Sequence, residues 1–227
     1  LYAEQAKWYE SMGVESVYIE DGAGTLTPAM AGNLIRTVKA AVRIPVHIHC
    51  HSTGGMANMV YWEAIQAGVD AIDTDISALS LGTAHPPVES FVAALNGTLW
   101  DTGLDLVLLE EINSYFLGIR NKYKEFLTSF TGVDVSVLRH EIPGGMLSNL
   151  ESQMIQMGAG DKLREVLEEV HQVRKDFGYP PLGTPMSQIV GVQAAMNVMC
   201  GERYKMLPKE SKDYNRGFYG KPPGEIE

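Results

Sequence analysis

The sequence predicts an α/β fold on parallel strands, followed by an all-helical second half. Three observations carry that. Helix-period and strand-period segments alternate over residues 2–97, with a loop or turn after each strand. Each predicted strand ends in polar residues able to ligate or to exchange protons: Glu20 and Asp21, His49 and His51, Asp73 and Asp75. Beyond residue 98 the strand-like runs give way to helical periodicity. Such alternation implies parallel strands joined by right-handed crossovers. It does not separate a barrel from a doubly wound sheet, since both build active sites at the C-terminal ends of strands.

Taken in order, Tyr2, Ala6 and Tyr9 space a helix over 2–12, stopped at Gly13. A short strand follows over 16–19, then a glycine-bearing loop over 22–27. Thr27 caps the next helix and Pro28 suits its first turn, with Met30, Leu34, Ile35 and Val38 as its apolar face. A strand over 46–50, a helix over about 56–67, a strand over 71–74 and a helix over 88–95 complete the alternation. The second half reads as a helix over 110–127, on Ile112, Phe116, Ile119, Tyr123 and Phe126. A loose segment over 131–142 comes next, with an extended piece at 133–138. Helices over 149–157, from a cap at Asp161, and over 186–199 to a stop at Gly201 end in an irregular charged tail after Pro208. The expected division is 1–97 and 98–227.

The net charge of −10 argues against nucleic acid and against a polybasic membrane patch. No run of about 18 apolar residues is present, so no membrane span is expected. Cys50 and Cys200 are far apart and predict reduced thiols in a cytoplasmic protein. The start is helix-like rather than a signal peptide and lacks Met, which predicts a piece of something longer.

The most informative stretch is residues 45–55. Residues two apart on a strand share a face, so His47, His49 and His51 project together while Ile48 and Cys50 pack behind them. Neutral imidazole is the commonest metal ligand. His49 and His51, at a strand end opening into Ser52-Thr53-Gly54-Gly55, read as half of a metal site; buried histidines satisfied by backbone groups are the alternative.

Several phrases place the chain more narrowly. They are His49-Cys50-His51-Ser52-Thr53, Ala67-Gly68-Val69-Asp70, Asp73-Thr74-Asp75-Ile76-Ser77, His85-Pro86 with Glu89, and His140 through Leu150, which contains Pro143-Gly144-Gly145-Met146-Leu147-Ser148. Gln188-Ile189-Val190-Gly191 and Gly201-Glu202-Arg203-Tyr204-Lys205 follow. In this order they resemble the carboxyltransferase segment of biotin-dependent carboxylases, which includes oxaloacetate decarboxylase α chains, the B subunits of split pyruvate carboxylases and transcarboxylase subunits. The resemblance implies the C-terminal part of a TIM barrel followed by an all-helical region. It implies a divalent metal (zinc, manganese or cobalt) on His49 and His51, a 2-oxo acid substrate of the oxaloacetate/pyruvate pair, and Ser148 as the proton-relaying hydroxyl, with a cap for the helix from Asn149 left open beside that role. Asp21, Asp73 and Asp75 are candidate substrate-binding carboxylates, with hydrogen bonding to loop amides left open beside that role.

Two departures stand out. The family's third metal ligand is a carbamylated lysine, and Glu20 occupies its position; its carboxylate is a candidate ligand, direct or through water, with a weakened or lost site or a cap on the glycine-rich loop as the alternatives. The family's fourth ligand, an Asp, and a substrate-holding Arg come from a first strand this sequence does not contain. Only three barrel strands are legible, so about five βα units are missing, and an open sheet edge needs a partner. No biotin attachment sequence is present. The expected partners are therefore a biotin carrier domain or subunit, the missing barrel half and a homo- or hetero-oligomeric assembly. The alternatives are another metal-dependent barrel lyase or aldolase, or a non-catalytic split subunit with an assembly role.

Overall fold

The computed structural model describes residues 1–127 and 132–227, with only the backbone of His140. The chain forms two compact units, Leu1–Leu138 and Arg139–Glu227. The division falls after Leu138 rather than at residue 97.

The first unit carries α1 (Tyr2–Ser11), β1 (Val17–Asp21), α2 (Pro28–Lys39), β2 (Val46–Cys50), α3 (Ala57–Gln66), β3 (Ala71–Ile72), α4 (Val88–Leu95) and α5 (Leu106–Lys122). The strands form one parallel sheet in the order β1-β2-β3. Tyr18 is in register with His47, Glu20 with His49, and His47 with Ala71. Register partners share a face of the sheet. One face carries Val17, Val46, Ile48 and Cys50, which are buried with Ile35 and Val38 of α2 and Val60, Tyr61 and Ala64 of α3. Each aliphatic side chain buried there contributes about 1.5–3 kcal/mol. The opposite face carries Tyr18, Glu20, His47 and His49.

Side chains set both ends of the central strand. The Asp70 carboxylate accepts the Val46 N–H at 2.7 Å and the Lys39 ammonium at 2.6 Å, anchoring its start. At the other end Cys50 donates its N–H to the buried Tyr61 phenol at 2.8 Å, and the phenol donates back to the Cys50 carbonyl at 3.3 Å. Asp73 N–H to Ile48 O, at 3.1 Å, is consequently the last rung to the third strand. This is why β3 stops at Ile72 and the expected strand to residue 74 does not form. The chain then loops out through a 3₁₀ turn at Ser77–Leu79 and returns, where Asp75 pairs with Pro87 in a single parallel bridge.

Other expectations are adjusted. Strand β1 runs on to Asp21. Met30 is exposed, and Ala31 and Gly32 are buried in its stead. Helix α5 begins at Leu106 because Asp105 caps Val107 and Leu108, and none of its residues is buried. The extended piece at 133–138 is instead a turn held by Asp134 N–H on Thr53 O and by Asp134 Oδ1 on Ser136, leading into a short helix α6 (Val137–His140). Thr131, the first residue of that loose segment, lies outside the described residues.

The second unit contains α7 (Gly144–Gln156), α8 (Leu163–Asp176), α9 (Met186–Cys200) and α10 (Lys209–Asn215). Helix α7 starts five residues before the expected Asn149. Asp161 sits within a 3₁₀ turn, Gly160–Lys162, rather than capping α8. The tail contains α10 because Tyr214 is buried and donates to Phe177 O at 2.7 Å. Arg203 joins the loop after α9 to α8, donating to Glu169 at 2.8 Å and to Asp176 at 2.5 Å. Among the described residues no helix is long and apolar enough to cross a membrane.

The loops after β1 and β2 touch at Gly24 and Gly54. Gly24 has φ +71°, and a Cβ there would collide with the His51 carbonyl. Gly24→Ala is expected to cost about 2–4 kcal/mol through strain and that collision. Urea unfolding followed by tryptophan fluorescence reads this unit alone, since Trp8, Trp62 and Trp100 all lie in it. An unchanged midpoint would refute the close approach.

Candidate metal centre

Three imidazoles meet on the polar side of the sheet. His49 comes from β2, His51 from the first residue beyond it, and His85 from the returning loop before α4. Their Nε2 atoms are 3.1 Å apart for His49 and His51 and 2.8 Å apart for His49 and His85. The donor atoms of the three lie within 4.8 Å of one another.

What aims them is on the other side of each ring. His49 Nδ1 is 2.9 Å from the Asp73 carboxylate. His85 Nδ1 is 3.1 Å from the Asp75 carboxylate, which also accepts the His85 backbone N–H at 2.7 Å. His51 Nδ1 is 2.5 Å from the carbonyl of Thr83. A carbonyl only accepts, and ionised carboxylates only accept, so each Nδ1 carries the proton. In a neutral ring Nε2 then holds a lone pair, and the three Nε2 atoms converge. Burial pushes the His51 imidazole below the ordinary histidine range, against the opposing pull of its Thr83 bond, and so favours the neutral ring. Converging lone pairs repel unless a cation lies among them. Imidazole nitrogens bind a divalent ion at ~2.1 Å, and three gathered this closely form a donor set that suits one.

Tyr18 adds to the first of these pairs. Its phenol is 2.6 Å from His49 Nδ1 and donates to the Asp73 carboxylate. Burial, then the bond to Asp73, pushes the Tyr18 pKa up, so the hydroxyl keeps its proton. Burial works to raise Asp73 and Asp75 as well, but the bonds from Tyr18 and His49 to the first, and from His85 to the second, outweigh it and hold both below the usual range.

The other expected site residues fall differently. Glu20 is the register partner of His49, yet it is exposed and stands outside the three-histidine group. Asp21 is engaged with the loop: its carboxylate accepts the N–H groups of Gly24, Thr25 and Leu26 at 3.0, 3.1 and 2.8 Å and the Cys50 thiol at 3.2 Å. Burial first, then the Asp21 charge, raises the Cys50 thiol pKa. Ser148 lies inside α7, not at its cap, and donates to Gly144 O at 2.9 Å. Beyond His51, the buried hydroxyls of Ser52 and Thr53 have no hydrogen-bond partner among the described residues. Sequence reasoning missed His85, Tyr18 and the Thr83 carbonyl as members of the site. His85 stood in a recognised phrase, but no periodicity ties a loop residue to a strand 34 positions earlier, and a backbone carbonyl leaves no trace in residue type.

Residues 2–115, about half of the chain, match the HMGL-like family, and residues 137–227 match a conserved carboxylase domain. The chain is 51% identical over 226 residues to the pyruvate carboxylase B subunit of Methanocaldococcus jannaschii, covering 99% of this chain and 40% of that protein. It is 46% identical over 228 residues to the 2-oxoglutarate carboxylase large subunit of Hydrogenobacter thermophilus, covering 97% and 35%. Among solved structures it is similar to the carboxyl transferase domain of Rhizobium etli pyruvate carboxylase with pyruvate and biocytin. There the TM-score is 0.92 at 32% identity, over 98% of this chain and 39% of that one. The chain thus spans about two fifths of the length of these curated relatives.

The orienting carboxylates are open to test. Asp73→Asn, which cannot hold the His49 tautomer as firmly, is expected to weaken Zn²⁺ binding about 10–100-fold, read by competition with a chromophoric chelator. Folded-state pKa values below the ordinary carboxylate range mean that Asp73 and Asp75 add stability above that range, lost as pH falls through the lowered values. Acid unfolding of Asp73→Asn should accordingly respond less to pH between 5 and 2 than that of the parent; equal pH dependence would refute the assignment.

Proposed function

The chain belongs to the HMGL-like family and carries a conserved carboxylase domain behind it, and from that premise we propose that it is the C-terminal part of a biotin-dependent carboxyltransferase. Its reaction moves CO2 between carboxybiotin and a 2-oxo acid, in the oxaloacetate/pyruvate pair. The observation that carries this is the convergence of imidazole nitrogens at the C-terminal end of β2, where α/β folds place their chemistry.

His49 and His51 would hold a divalent metal, zinc, manganese or cobalt. Bound there, such an ion supplies Lewis acidity to an oxygen of the 2-oxo acid. The rest is the work of the chain. Asp73 and Asp75 fix the ring orientations, and the Thr83 carbonyl fixes the third. Ser148 carries a proton: in the carboxylation direction it leaves the substrate methyl carbon for the biotin ureido nitrogen as the N–C bond to the carboxyl group breaks and a C–C bond forms. Asp21 is better suited to shaping the β1–α2 loop than to touching substrate, because its oxygens already serve three amides and a thiol. Biotin arrives on a carrier domain or subunit, and further βα units complete a TIM barrel at the open edge of the sheet. A homo- or hetero-oligomer in the cytoplasm is the setting this reading implies.

A different HMGL-like lyase or aldolase is the second reading, favoured by the same first unit. The match of residues 137–227 to a carboxylase domain weighs against it.

In the full-length protein with its biotinylated partner, oxaloacetate decarboxylation is followed through pyruvate formation. His49→Ala is expected to abolish it, and Ser148→Ala to lower kcat by about 10²–10⁴-fold. Parent-level rates in both variants, or no activity in the parent, would sink the carboxyltransferase reading, the latter leaving a role in assembly.

A further inference from the structure

We infer that His85, and not Glu20, supplies the third ligand that this chain gives to the metal centre, beside His49 and His51. The inference rests on the metal reading above and specifies which residues carry it.

The geometry of His85 is that of a ligand rather than of a core histidine. Its side chain is held at two points by one residue: Asp75 accepts the backbone N–H at 2.7 Å and Nδ1 at 3.1 Å. That double grip needs the loop to close on itself. The closure is built by the Asp75–Pro87 bridge, with Asp75 N–H on Pro86 O at 3.0 Å and Val88 N–H on Asp75 O at 2.8 Å. A second closure, Leu81 N–H on His85 O at 2.8 Å, fixes the carbonyl side. Ser52 N–H on Ala84 O at 2.7 Å ties the same loop to the residue after His51. The loop is therefore pinned to the strand that bears the other two imidazoles. Nδ1 is committed to Asp75, and among the described residues Nε2 faces His49 Nε2, at 2.8 Å. All three rings follow the same rule, Nδ1 to an oxygen acceptor and Nε2 to the common centre. That pattern is the outer support metal-bound histidines require.

Glu20 does not share it. It pairs in register with His49 but is exposed and outside the group. His49 lies on β2, His51 is the residue beyond it and His85 comes from the returning loop, so this chain offers three imidazole donors. Imidazole suits zinc and cobalt, whereas oxygen-rich sets suit manganese and magnesium.

The test uses the full-length protein that contains this chain, stripped of metal, with Zn²⁺ alone as the probe and a chromophoric chelator as competitor. His85→Ala and the near-isosteric His85→Gln are each expected to weaken Zn²⁺ binding by about 100-fold, and Glu20→Gln to change it less than about threefold. The near-ultraviolet circular dichroism of the His85 variants is measured beside these, so that a folding failure is separated from a lost ligand; His85→Gln provides the folded case. If His85→Gln, folded, binds zinc within about threefold of the parent while His49→Ala does not bind, His85 is not a ligand and the metal reading survives. If Glu20→Gln loses zinc as His49→Ala does, the carboxylate belongs to the set and the exclusion of Glu20 is overturned. Zinc binding untouched by His49→Ala would remove the metal reading itself.

Discussion

Three hydrogen bonds, each from the Nδ1 of a histidine to an oxygen that can only accept, are the constraint on which the site depends. Without them each imidazole could place its proton on either nitrogen, and the cluster would settle as a small hydrogen-bonded stack. With them, the tautomer is settled and the Nε2 lone pairs have nowhere to point except at one another. The fold is arranged to supply those three acceptors. The parallel register sets Asp73 beside His49. The early end of β3 releases the chain at Ile72, and the bridge at Asp75 brings it back with the Thr83 carbonyl and His85 in place. Tyr61, buried beneath the sheet, has a part in this, because its phenol occupies the backbone groups of Cys50 that a longer third strand would need.

Much of this was legible in the residues. Helix and strand periods located α1, α2, α3, α4 and all three strands, because each has one apolar face against a common core. The polar ends of the strands were legible for the same reason: alternation makes a histidine at every second position conspicuous. What escaped was whatever depended on chain return. His85 is tied to His49 by a loop whose closure is made of backbone bonds, and backbone bonds carry no residue signature. The carboxylates Asp73 and Asp75 were read as site groups, but which ring each would serve required the register. Glu20 shows the converse. Its position beside His49 was foreseeable, whereas its exposure was not, since spacing along a strand says which face a side chain occupies and not how far it reaches inward.

The carboxylates also show how one residue type takes two parts at one end of a sheet. Asp73 and Asp75 spend their charge on imidazoles. Asp21, on the far side of β2, spends its charge on three amides of the β1–α2 loop, which holds Gly24 against the carbonyl of His51. The second kind of work is invisible in a reaction scheme. It nonetheless fixes where the histidine strand ends, because the same loop contact sets the path of the backbone at His51.

The thiol of Cys50, set between the two strand histidines in sequence, gives the pleat of β2 a chemical meaning. Sulfur is the softest donor in the neighbourhood and would outcompete imidazole for zinc or copper if it faced the same way. The strand turns it to the buried side instead, where Asp21 accepts its proton and burial keeps it a thiol. Two kinds of metal-seeking atom, adjacent along the chain, are thereby kept in separate solvents. A slip of one residue in the pairing of β2 would exchange them, placing sulfur at the centre and imidazoles in the core. The register of this strand is thus a choice of coordination chemistry as much as a choice of packing.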